Sequence, residues 1–346
     1  MLKSTLIMII NVEGGYILLF KRKAAIHACI ALLLVFLTAC GGEEGGVATQ
    51  NTSLAPQFLT VQHKFGETDI PVHPQRIASI NLEDMLLSLD LPVVLAVTAG
   101  SDNYLMPQLQ ARDIQVLPSL SPEAVLESNP DLIIAFDVIT QEDYDALSKI
   151  APTIVYNRRT WRSSITEIAK DLGQEEKAVA ALKAHEEKVA QAREDLAPVI
   201  AAQPTVALVR VTAKDFRLYF PSILSSEQVQ GYATALYHDL GLQADPLALD
   251  LQKKEPEREN ATISMELLPQ IKADYIFVTV GSASGGPEDY KKDLEGFAEI
   301  EKSAVWKALP AYQQGNIYMV GAKHWISDGM LADDLKINDI VQALGK

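Results

Sequence analysis

The sequence predicts an α/β protein of two Rossmann-like lobes joined by one long helix. Three observations carry that expectation. Short runs rich in Val and Ile alternate with longer helical patterns, the signature of parallel strands and crossover helices. A chain of 346 residues, 48% of them hydrophobic, buries a sizeable core yet exceeds one average domain, so two lobes are the default. Between the two sets of strands, residues 174–199 contain no Gly and no Pro before Pro198, while Leu182, Val189 and Leu196 recur every seven residues, as in a single helix.

In chain order, the first element is an export signal. Lys21-Arg22-Lys23 precedes an apolar run from Ala24 to Leu37, shorter than the ~20 residues that span a bilayer as a helix. Leu37-Thr38-Ala39-Cys40 closes it and resembles a bacterial lipobox, whose cysteine is lipidated and becomes the mature N-terminus. Residues 1–39 thus read as a signal peptide, residues 1–20 as a start assigned too early, and residues 40–56, Gly-rich and polar, as a flexible tether. The N-terminal lobe occupies residues 57–173, with strands at 76–80, Val93–Val97, Leu132–Phe136 and 153–155. Helices are expected near 81–89, Pro122–Glu127, 142–150 and 163–172. The connector helix covers 174–199, its many charged residues forming a solvated face. The C-terminal lobe, residues 200–346, opens with an antiparallel hairpin, Thr205–Val211 with 216–220. Strands follow at Tyr275–Val280 and Ile317–Val320, ending at Gly281 and Gly321. In open α/β sheets ligands bind beyond the carboxyl ends of strands, which selects the loops after these runs.

Composition excludes several functions. Against 30 basic residues stand 45 acidic ones, a formal charge of −15 that repels nucleic acid. Cys29 and Cys40 both precede the folded part, leaving no pair there for a disulfide or a thiolate zinc site. His63, His73, His185, His238 and His324 are not spaced as neighbouring ligands, so no direct metal site is expected. No phosphate loop occurs. Gly281-Ser282-Ala283-Ser284-Gly285 has the outline of a nucleophile elbow, but its Gly-Gly-Pro continuation opposes the strand-to-helix turn that an elbow needs, so an envelope hydrolase is a remote alternative and no enzyme is expected.

Ordered markers then point to a family. Pro74-Gln75-Arg76-Ile77-Ala78 enters the first strand, Ser121-Pro122-Glu123-Ala124-Val125-Leu126-Glu127 leads through Asn129-Pro130-Asp131 into the third, and Ile150-Ala151-Pro152-Thr153 precedes the fourth. The second half repeats the pattern with Ser264-Met265-Glu266-Leu267-Leu268 before Ala273-Asp274-Tyr275, then Trp306-Lys307-Ala308-Leu309-Pro310 before Gly315-Asn316-Ile317. From about residue 57 to 346 the chain resembles the substrate-binding lipoproteins of iron-siderophore, haem and cobalamin ABC importers, whose lobes are joined by one helix. The resemblance implies a rather rigid clamp with no cofactor, working as a monomer, that holds its ligand between lobes. It also implies that Glu123 and Glu266 pair with arginines of a permease, although a Glu in a first helical turn is also favoured by the helix dipole alone.

For the ligand, Arg217 and Tyr219 share one face of the hairpin, and Arg210, flanked by Val209 and Val211, needs a partner that is either a structural carboxylate or an anionic ligand. Lys323, His324 and Trp325 follow Gly321 and offer charge, a donor and a flat surface, unless Trp325 belongs to the core. The opposite wall would come from Asn81, from Ser101-Asp102-Asn103-Tyr104 with Tyr104 foremost, and from Arg158 and Arg159. Such a lining suits a ferric siderophore of hydroxamate or citrate type, with a catecholate next. Haem, for which His324 is the residue to watch, and cobalamin are alternatives within the same class. The expected partners are a permease pair and its ATPase, and the expected location is the extracytoplasmic face of the cell membrane, held by the lipid on Cys40.

Overall fold

A computed structural model describes residues 58–345 apart from 99, 101–102, 213–214, 222, 226–227 and 283–284. The expected signal peptide, lipidated Cys40 and tether lie outside the described residues, as do Ser101, Asp102, Ala283 and Ser284.

The first lobe opens with a hairpin that the sequence reading misses, β1 (Phe58–His63) and β2 (Gly66–Pro71). Only Val61 and Ile70 in it are buried, so its composition carries no apolar run. Then follow β3 (Ile77–Ile80), α1 (Glu83–Ser88), β4 (Val93–Val97), α2 (Met106–Ala111) and β5 (Gln115–Leu117). The lobe is completed by α3 (Pro122–Glu127), β6 (Leu132–Phe136), α4 (Gln141–Leu147), β7 (Thr153–Tyr156) and α5 (Trp161–Asp171). The sheet runs β5-β4-β3-β6-β7, every pair parallel. Every residue of β3, β6 and β7 is buried, as expected of strands covered on both faces.

The expected continuous helix over 174–199 is two pieces, α6 (Glu175–Asp195) and the short α7 (Ala197–Ala201). Pro198 lies in the first turn of α7, where it lacks an amide to donate backwards and its ring would strike the preceding turn, so the first helix stops. Its 21 residues still extend about 30 Å.

The second lobe comprises β8 (Thr205–Val211), β9 (Phe216–Tyr219), β10 (Ile223–Ser225), β11 (Gln228–Gln230), a π-helical turn Ala235–Asp239, β12 (Gln243–Ala244) and α8 (Pro246–Lys254). It continues with β13 (Asn260–Ile263), a 3-10 turn Leu268–Gln270, β14 (Tyr275–Val280), α9 (Pro287–Lys302) and α10 (Ala304–Lys307). Last come α11 (Pro310–Gln313), β15 (Ile317–Val320), α12 (Ala322–Trp325) and α13 (Met330–Leu344). The sheet order is β13-β9-β8-β14-β15, with β12 beside the start of β8. The strands β12, β8, β14 and β15 pair in parallel, whereas β9 and β13 are antiparallel additions.

Two helices, rather than one, hold the lobes together. Ala178, Ala181 and Leu182 of α6 pack in the first lobe's core, while Val189, Ala192 and Leu196 pack in the second's. The C-terminal helix does the same, giving Met330 and Leu331 to the first core and Ile337, Ile340 and Leu344 to the second. Between them runs a buried ionic chain. Lys336 Nζ donates to Asp333 Oδ1 at 2.9 Å and to the carbonyls of Ser327 at 2.9 Å and Tyr232 at 3.2 Å. From α5, Trp161 Nε1 donates to Asp333 Oδ2 at 3.1 Å, and Arg162 reaches Asp239 at 2.9 Å. On α6, His185 Nδ1 lies 2.7 Å from Asp334. The Lys336–Asp333 pair at its centre is fully buried, so losing either partner would strand a charge away from water, whereas Arg162 and Asp334 remain partly exposed.

Candidate functional site

The strand register of the second lobe builds one wall of a cleft. Arg210 on β8 stands directly opposite Arg217 on β9, Arg217 opposite Thr262 on β13, and Tyr219 opposite Asn260. Like charges facing each other across a ladder repel. Asp215, at the turn between β8 and β9, offsets part of this, accepting from Arg217 Nε at 3.1 Å and lying 4.0 Å from the Arg210 guanidinium. Two guanidiniums therefore share one carboxylate. Nε of Arg210 is buried without a hydrogen-bond partner among the described residues.

This row lines a cavity of about 440 Å³ together with Arg159, Tyr232, Arg258, Glu259 and Ile326. Tyr219 and Tyr232 meet edge-to-face, with ring centroids 5.8 Å apart. Burial pushes the Tyr219 phenol up to about 12 against the pull of Arg210 and Arg217, so it stays a neutral hydrogen-bond donor. Arg159, in the turn after β7, reaches across from the first lobe to within 3.7 Å of Glu259, whose carboxyl burial holds above its usual range.

Ile326 also lines a second, smaller and more enclosed cavity, the deep end of the site, with Asn81, Glu83, Asp84, Asn103, Tyr104, Arg158, Lys323 and Asp328. The carboxyl end of β3 supplies Asn81, in a left-handed conformation at φ 59°, where the chain turns into α1. Glu83 and Asp84 are then carried inward by the buried face of α1. Asp84 accepts from Tyr104 Oη at 2.6 Å and from the backbone amides of Leu331 at 3.1 Å and Ala332 at 3.0 Å, so a first-lobe carboxylate caps a helix of the second lobe. Gly329, at φ 155°, permits this approach, because any Cβ there would collide with the Asp84 carboxyl group. Burial pushes Asp84 up to about 6, and Glu83 and Asp328 each up to about 7, with Arg158 opposing the last two shifts. The Arg158 guanidinium also lies over the Phe136 ring at 4.8 Å.

The structure thus brings Arg210, Arg217, Tyr219 and Arg159 to the large cavity and Asn81, Tyr104, Arg158 and Lys323 to its deep end. Two expected site residues lie elsewhere. Trp325 is fully buried, stacked on Phe277 at 5.1 Å with Nε1 donating to Asp339 at 2.8 Å. Its place is the core because the chain after Gly321 forms α12, which folds this ring onto the sheet instead of running on as an open loop. His324 hydrogen-bonds the same carboxylate at 2.7 Å and lines a groove beside β15 that shares no residue with the cleft. No axial histidine for haem faces either cavity among the described residues.

The polar cleft residues absent from the sequence reading include Glu83, Asp84, Tyr232, Arg258, Glu259 and Asp328. Of these only Glu83-Asp84 gave a signal, two acids in an otherwise apolar short helix, and the dipole effect explains that pair equally well. Away from the cleft, Glu123 and Glu266 are both exposed. Ser121 Oγ donates to Glu123 at 3.1 Å, and a hydrogen bond from Ser264 holds the Glu266 carboxyl below its usual range. The Ser264–Glu266 segment leads through a turn into a 3-10 turn and not into the expected helix, since Pro269 has no amide to donate back to Met265.

A family model described as periplasmic binding protein matches residues 78–323, more than half of the chain. The iron(3+)-hydroxamate-binding protein YxeB of Bacillus subtilis is 27% identical over 304 residues, covering 86% of this chain and 89% of that protein. The probable siderophore-binding lipoprotein YfiY of the same organism is 26% identical over 333 residues, covering 92% and 97%. Among solved structures, SirA of Staphylococcus aureus complexed with staphyloferrin B superposes with a TM-score of 0.67 at 26% identity, covering 83% of this chain and 98% of SirA.

Proposed function

The chain belongs to the periplasmic binding protein family, and on that premise we propose that it captures a ferric siderophore in the cleft between its lobes and delivers it to an ABC importer. The observation that carries the proposal is the Arg210–Arg217 pair: two adjacent guanidiniums on one wall of a 440 Å³ cavity, served by a single carboxylate, with a buried Nε left for a further acceptor. Planar, fixed N–H donors of this kind match the oxygens that surround chelated iron. The neutral phenol of Tyr219 adds a third donor to the same wall. A hydroxamate complex is favoured, in keeping with the name of the B. subtilis relative YxeB. Iron is cargo here, enclosed by its chelator, and the protein reads the complex's shape and charge.

The reading extends to Cys40 as the lipidated N-terminus that anchors a monomer on the outer face of the cell membrane, as in relatives named lipoproteins. Glu123 and Glu266, exposed and each hydrogen-bonded by a serine two residues upstream, would orient the clamp over a permease pair and its ATPase. Reversing both charges, Glu123→Lys with Glu266→Lys, is expected to abolish uptake of iron complexes by cells while binding in solution stays unchanged. Normal uptake by that variant would remove the docking role.

Capture itself is tested by thermal melting with a panel of ferric hydroxamate, citrate and catecholate complexes. A ligand at a hundred times its Kd stabilises the folded state by about 2.7 kcal/mol. For a folded part of this size that raises the melting temperature by roughly 4 °C. A panel without any stabilising complex would overturn the proposal.

A further inference from the structure

The arginine wall accounts for only one end of the cleft. The deep end has the opposite character. Three carboxylates, Glu83, Asp84 and Asp328, face two cationic side chains, Arg158 and Lys323, around a space of about 40 Å³. Lys323 already donates to the carbonyl of Gly285 at 2.8 Å, and Asp84 is saturated by Tyr104 and two backbone amides. Glu83 and Asp328 are different. They are 5% and 4% exposed, and among the described residues Oε2 of Glu83 and Oδ2 of Asp328 have no hydrogen-bond partner, nor has Nε of Arg158 in the same lining. A buried acceptor without a donor is costly, and two at the closed end of a cleft form a receptor for a donor brought by the ligand.

Size and charge identify that donor. The space admits a group about as large as one water, whose share of liquid volume is about 30 Å³, and excludes an iron centre. Glu259 and Asp333 add negative field at Asp328, opposed by Arg158 and Lys336. Glu83 feels Asp84 against Arg158 and accepts from Asn103 at 3.3 Å. Three carboxylates against two cations disfavour a carboxylate arm, for which Arg158 Nε is an open donor, whereas an ammonium group would satisfy both open carboxylate oxygens with charge-assisted hydrogen bonds.

Resting on the capture reading above, we propose that the deep end of the cleft is a subsite for a protonated amine, so that the preferred cargo is a ferric hydroxamate carrying one cationic arm. The iron centre then lies in the larger cavity against Arg210 and Arg217, and the arm passes Ile326, which lines both spaces, to reach Glu83 and Asp328. Burial holds both acids near about 7 in the empty protein, so an arriving ammonium group drives them to ionise and releases protons. Affinity for the amine complex therefore rises with pH through neutrality and levels off above it.

The test is titration calorimetry with two probes, a ferric trihydroxamate bearing a terminal primary amine and the same complex with that amine acetylated. Iron coordination is identical in the two, and one charge differs. The amine complex is expected to bind at least about tenfold more tightly near pH 7.5, the effect of one charge-assisted hydrogen bond of ordinary strength. Glu83→Gln with Asp328→Asn is expected to erase that preference. A second readout needs no variant: in the native protein, affinity for the amine complex increases between about pH 6 and 8 while that for the acetylated complex does not follow it. Equal binding of the two complexes, or a pH-independent preference for the amine, overturns the subsite and leaves capture standing. Failure of both complexes to bind overturns capture and the subsite together.

Discussion

Arg210→Ala combined with Arg217→Ala is expected to weaken binding of a ferric hydroxamate by about 10²–10⁴-fold while leaving the fold intact. A hydrogen bond to a charged group contributes about 1.5–3 kcal/mol, and two such losses compound to that range. The fold survives because neither side chain belongs to the apolar core of the sheet, and their removal ends a repulsion between directly opposed charges. Asp215 loses both partners but remains partly exposed and hydrogen-bonded to Thr212. Lysine at both positions retains the charge without the planar fork, so an intermediate affinity is expected. Affinities measured by tryptophan fluorescence or calorimetry check this, and an undiminished affinity in the double-alanine protein would place the ligand elsewhere.

Lys336→Met should produce the largest loss of stability. The ammonium group is 1% exposed and engages Asp333 and two carbonyls, so its removal leaves a buried carboxylate held, among the described residues, by Trp161 Nε1 at 3.1 Å and by Arg162 at 3.6 Å. Breaking a buried pair in this way costs about 3–5 kcal/mol. A fall of roughly 5–8 °C in melting temperature follows for a folded part of this length. Adding Asp333→Asn removes the stranded charge and should recover part of the loss, which distinguishes an electrostatic cause from poor packing of methionine. A melting temperature unchanged in the single variant would show that the chain from α5 through α13 does not tie the lobes together.

Most strands legible in the sequence have side chains that are nearly all buried; the half-exposed edge strand β15 is read instead from the apolar run Ile317–Val320 closed by Gly321. The runs at 76–80, Val93–Val97, Leu132–Phe136 and Tyr275–Val280 lie at the centres of their sheets, where apolar composition follows directly from burial on two faces. Edge elements such as β1, β2 and β13 were not legible, because one polar face conceals them. The arginine wall was legible since alternation along β9 places Arg217 and Tyr219 on one face whatever the tertiary structure. The acidic deep end was not, because it exists only where α1 meets a helix almost 250 positions later: Asp84 and Leu331 are 247 residues apart. Trp325 illustrates the same limit in reverse, since a tryptophan beyond a strand is equally suited to a ligand or to a core until the path of α12 is known.

Rigidity follows from the same long-range contacts. With α6 and α13 both embedded in the two cores, and Asp84 capping α13 from the other lobe, separating the lobes would expose apolar surface and buried charge together. Little closure is therefore expected when cargo enters, and recognition depends on a cleft already formed.

Equilibrium titration of the purified protein with a ferric trihydroxamate measures the capture step without any transporter. One equivalent bound saturably, with the iron-free chelator binding more weakly because its oxygens are not gathered into one compact face, is the predicted result. Absence of saturable binding for hydroxamate, citrate and catecholate complexes alike would contradict it.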